Sequence, residues 1–140
     1  MGVIGLSMVL VMSFAGLNAR QDTGVAIDND DIGGVVTSER GPEAGVWVIA
    51  ETTDLSTKFI RTVVTDEAGR YLLPDLPPVY YRVWVRGYGL VDSPKVITTP
   101  GKNLDLTAVV APNQQAAAEY YPANYWLSLL EPPAKSNFPG

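Results

Sequence analysis

Residues 63–89, VVTDEAGRYLLPDLPPVYYRVWVRGYG, constrain the fold more than any other part of the chain. They read as a strand, a tight turn, a short strand, a proline-rich bend and a long strand. Thr65-Asp66-Glu67-Ala68-Gly69 supplies the turn, because Asp66 can cap its own backbone and Gly69 can take a positive φ with no Cβ to clash. Alternation then places Tyr71 and Leu73 on one face of the short strand. On the long strand it places Tyr81, Val83 and Val85 together on one face.

The same reading along the chain predicts seven strands, over 32–38, 44–52, 58–65, 70–73, 79–87, 93–98 and 103–111. Pro94 marks the sixth as an edge, since proline cannot donate to a ladder. Eleven prolines, thirteen glycines and a 46% hydrophobic content suit short strands joined by turns around one core. The expected architecture is an all-β, seven-stranded antiparallel sandwich over residues 32–111.

The pattern T-D-x-x-G-x-Y-x-L-x-x-L-P, followed by Y-x-V-x-V and a G-Y-G close, resembles the carboxypeptidase regulatory-like domain family. Asp66, Gly69, Tyr71, Leu76 and Tyr81 carry the signature. The resemblance implies a prealbumin-like (transthyretin-like) Greek-key sandwich, related in shape to starch-binding domains, with the role of an accessory module. Residues 112–140 include EYYPANYW, which is similar to a stretch of exported bacterial proteins whose regulatory-like domain precedes a c-type cytochrome or lyase-like region. No haem role passes to these residues, because the chain has no Cys-x-x-Cys-His.

What is missing from the composition narrows function further. There is no cysteine, hence no disulfide, thiolate nucleophile or cysteine zinc site. There is no histidine, the usual general base and metal ligand. No acidic pair stands in a recognisable hydrolytic setting, so the expectation is a non-enzyme without cofactor or metal. A net charge of −5 argues against a nucleic-acid partner.

The two ends differ from the middle. Residues 1–19, MGVIGLSMVLVMSFAGLNA, carry no charged side chain and resemble a signal peptide, pointing to export to the periplasm or beyond. Membrane contact is expected only if this segment stays as an uncleaved anchor. Residues 20–31 read as an acidic linker. Asp28, Asp30, Gly33 and Glu39 fall at calcium-loop spacing, but Ile32 occupies a ligand position and a strand follows, so the linker reading holds. Residues 112–140 form an aromatic, proline-containing extension, helical in part, with Pro122 as a break.

If Tyr81, Val83 and Val85 face the core, then Tyr80, Arg82, Trp84, Arg86 and Tyr88 point the other way, about 6.8 Å apart along one face. On the second strand, Val46, Val48 and Ala50 as the core set send Trp47 and Ile49 outward too. Three roles compete for this face. It can dock a partner or a downstream domain, since Trp, Tyr and Arg dominate interface hot spots. It can stack sugar rings of a polysaccharide. Or the chain's own aromatic extension covers it, with Arg–ring stacking contributing. The reading carried forward is a docking module, and a carbohydrate-binding module using Trp47, Tyr80, Trp84 and Tyr88 is the alternative.

Overall fold

The computed structural model describes residues 24–131 and 134. The signal-like segment 1–19, the start of the linker and most of 132–140 lie outside the described residues.

Among the described residues, eleven strands and two short helices follow one another. They are β1 (Ile32–Ser38), β2 (Gly41–Pro42), β3 (Trp47–Thr52), β4 (Phe59–Val64), β5 (Arg70–Leu73), β6 (Tyr81–Arg86), β7 (Leu90–Val91), β8 (Val96–Thr98), β9 (Lys102–Asn103), β10 (Leu106–Thr107), β11 (Val109–Val110), α1 (Gln114–Ala118) and α2 (Ala123–Ser128). One antiparallel sheet runs β4-β3-β6-β8. The other is organised around β1, which pairs with β2, β5, β9 and β10, while β7 and β11 form a small ribbon. β1 and β5 occupy the bounds that alternation predicts, and β8 is an edge strand.

Against the expected seven strands, β2 and β7 fall outside every expected range, and the sixth is shortened from 93–98 to Val96–Thr98. Two further departures follow from local chemistry. The expected last strand is divided into β9, β10 and β11, and β9 and β10 run parallel to β1. Asp105 interrupts the ladder, because its Oδ1 accepts from Val35 N at 2.9 Å. Leu104 instead gives its carbonyl to the Tyr71 hydroxyl at 2.6 Å. The backbones approach so closely that a Cβ on Gly34 would lie 2.1 Å from the Leu104 oxygen. The second departure is at residues 44–46, expected to be strand. There Val46 N donates to the Thr65 hydroxyl at 3.1 Å, so a side chain replaces a ladder rung.

The inward faces meet in one core built from both sheets. Ile32 and Val36 of β1, Tyr71 and Leu73 of β5, Val48 and Ala50 of β3, and Tyr81, Val83 and Val85 of β6 all belong to it. Leu76 seals one end and the Tyr81 hydroxyl donates to the Pro77 carbonyl at 3.1 Å, fixing the proline-rich bend before β6. The inward alternation of β3 and β6 leaves their other side chains on one outer face.

Candidate docking face

The turn that sets this arrangement is capped from within. Asp66 Oδ1 accepts from Ala68 N and Arg70 N at 2.9 and 2.8 Å, and its Oδ2 pairs with Arg70 Nε at 2.8 Å. These backbone and side-chain donors hold the Asp66 carboxyl below the usual carboxylate range. Gly69 takes φ +74°, and its carbonyl accepts from Val36 N at 2.8 Å. β4 and β5 are thereby fixed in opposite sheets.

On the outer face, register places Trp47 opposite Arg86, Ile49 opposite Trp84 and Glu51 opposite Arg82. At the Trp47 end, the C-terminal extension is attached. The Trp47 and Tyr88 rings meet edge-on at 5.4 Å. Tyr88 meets Tyr121 at 4.9 Å, Tyr121 meets Tyr125 at 4.6 Å, and Tyr125 meets Trp126 at 5.3 Å. Gly89 N donates to the Tyr121 hydroxyl at 3.3 Å. Arg86 is held by both Asp92 oxygens at 2.7 Å, and its guanidinium lies 5.9 Å from the Tyr120 ring centre. Pro122 closes a cleft over Trp47, Ile49 and Thr62. It also starts α2, where its missing N–H has no intrahelical partner to lose.

At the other end a charge cluster replaces the aromatic one. Glu51, 8% exposed, receives Lys95 Nζ at 2.7 Å, Arg82 Nε at 3.5 Å and Lys58 Nζ at 3.8 Å. The Lys95 hydrogen bond is the main reason that its carboxyl stays below the ordinary range, with the charges of Lys95, Arg82 and Lys58 adding to it against the cost of burial. Lys95 also sits 3.9 Å over the Trp84 ring.

The six residues expected on the face therefore meet different environments. Tyr80 and Tyr88 are open at 64% and 52% exposure, and Arg82 is exposed. Trp47 and Arg86 are half-buried beside the extension. Trp84 is 6% exposed, capped by Lys95, and its Nε1 has no acceptor among the described residues. Trp84 thus offers no open ring to a ligand.

Alternation misses the partners that decide these environments. Glu51 shares the parity of Trp47 and Ile49, so extending the outward set by one step would have included it. Asp92 lies outside any strand, and Lys95, expected within a strand over 93–98, lies before β8 instead. In the linker, the Asp28, Asp30 and Asp31 carboxylates lie within 4.8 Å of one another. Two of them serve as backbone caps: Asp31 accepts from Asp28 N and Asp75 N, and Asp28 accepts from Asp30 N.

Beyond the attachment point the extension changes character. Trp126, Leu127, Leu129 and Leu130 are 47%, 64%, 60% and 67% exposed, and α2 buries no residue of its own. No protein-family model matches the chain, and no curated protein does either.

Proposed function

We propose that the chain is a non-catalytic, exported accessory module that presents its aromatic extension to a partner polypeptide or to a downstream region of a longer product. The observation that carries this reading is the exposed set Trp126, Leu127, Leu129 and Leu130, fixed to the outer sheet through Tyr121. A contiguous apolar surface held at a defined place on a rigid support is what an interface requires. The strand pattern and the T-D-x-x-G turn support assignment to the carboxypeptidase regulatory-like group with its Greek-key connections. The apolar, uncharged first residues support export.

The burial of Trp84 weakens the carbohydrate alternative, which needs accessible rings for stacking. Tyr80 and Tyr88 remain open but lie at opposite ends of the face.

A photo-crosslinking side chain placed at Leu127 tests the docking role in an exporting host, with the same group at Tyr80 as comparison. One discrete protein adduct from position 127 and none from position 80 is the expected result. Equal yields at both positions contradict it. Saturable quenching of tryptophan fluorescence by soluble oligosaccharides, with no adduct at 127, would establish the sugar-binding alternative instead.

A further inference from the structure

A second surface, adjoining the aromatic extension at Thr62, is the edge of β4. Among the described residues this strand pairs with β3 alone and ends its sheet. Thr65 N donates to the Val46 carbonyl at 2.9 Å, which fixes the phase of the ladder. Odd-numbered residues of β4 therefore turn their backbone groups toward β3, and Ile60, Thr62 and Val64 turn theirs outward. The side chains of Ile60 and Val64 are 51% and 57% exposed, and Thr62 is exposed between them. The strand has no proline and no bulge, two devices by which natural edges avoid pairing.

We infer that β4 pairs with β4 of a second copy of this chain, antiparallel and centred on Thr62, joining two four-stranded sheets into one. The occupant is identified by self-complementarity. With Thr62 opposite Thr62 of the second copy, every outward N–H and C=O of Ile60, Thr62 and Val64 finds a partner. Ile60 then faces Val64 of the other copy, twice by symmetry, so the two exposed branched side chains cover one another. The same register sets Lys58 opposite Asp66 of the second copy. Lys58 is 62% exposed, and Asp66 keeps 43% of its side chain exposed beside Arg70. Shifting the centre to Arg61 would bring two guanidinium groups face to face, and shifting it to Val63 would separate Ile60 from Val64. The charges and the apolar pairs select the same register.

The chain has no cysteine, so one introduced thiol reports this geometry without background. In sedimentation equilibrium the full chain should form a reversible dimer at concentrations up to about 1 mM. Thr62→Cys should oxidise to a covalent dimer, because directly opposed Cα atoms in such a pair lie about 5.5 Å apart, within disulfide reach. Thr62→Pro removes an outward N–H and no bond to β3, at the cost of a fixed φ, and should leave the chain monomeric, with circular dichroism and melting temperature confirming that it folds. Lys58→Asp should weaken the dimer by roughly 2- to 30-fold, the range expected for two symmetric cross-strand pairs. A chain that stays monomeric throughout overturns the inference. So does a dimer that persists in folded Thr62→Pro, or one whose Thr62→Cys form fails to cross-link.

Discussion

Gly69 and Glu51 show how single residues commit the fold. Gly69 meets two demands at once: a φ of +74° and a carbonyl neighbour that would lie 2.6 Å from any Cβ. Gly69→Val should therefore cost about 2–4 kcal/mol, combining left-handed strain with a backbone clash. Urea unfolding should show a clearly lowered midpoint at unchanged slope, and an unchanged midpoint contradicts the turn. Glu51 gathers three cations, each about half exposed or more, around one buried carboxylate. Glu51→Gln leaves those cations to repel one another and should cost roughly 1–2 kcal/mol, less than a fully buried pair.

Glu51 and Asp66 set the acid response. Glu51 and Asp66 both have folded values below their ordinary 4.5 and 3.8. The unfolded chain therefore binds protons first, and stability present above those ordinary values is lost as pH falls through the folded ones. With no histidine, no side chain of ordinary pKa titrates between about pH 5.5 and 7.5. The melting temperature should be flat there and fall below about pH 4.5, with a smaller fall in Glu51→Gln. A step near pH 6.5 would contradict this.

At the scale of elements, periodicity reports side-chain direction more faithfully than hydrogen bonding. Tyr81, Val83 and Val85 face inward as alternation requires, as do Val46, Val48 and Ala50. The last segment keeps its alternation too, with Leu106 and Ala108 buried and Thr107 and Val109 exposed. Its ladder is nevertheless broken, because the Asp105 side chain takes a rung and Gly34 allows a closer approach than a regular strand. No pattern in the sequence announces a side chain that substitutes for backbone. Trp84 teaches the complementary lesson. Its direction was legible, but its burial depends on Lys95, which approaches from an irregular stretch before β8. The candidate site was thus readable as a list of outward residues, and not as a map of which ones stay open.

At the scale of the whole molecule, the outer sheet has two unlike ends. The charged end, around Glu51, is closed by its own ion pairs. The aromatic end is continuous with the extension through Trp47, Tyr88 and Tyr121. In the proposed role the sandwich would serve as a support and α2 as the surface it displays, so that role depends on their attachment. Ordering the extension costs backbone entropy. Helical hydrogen bonds, ring contacts and the Gly89–Tyr121 bond must together offset it.

Truncation after Asn113 tests that attachment most directly, read by melting temperature and by acrylamide quenching of the two remaining tryptophans. Loss of the extension should lower the melting temperature by several degrees and make Trp47 markedly more accessible to quencher, while Trp84 stays shielded under Lys95. An unchanged melting temperature together with unchanged quenching would show that the extension is not held on the sheet, and would remove the basis for its role as a presented surface.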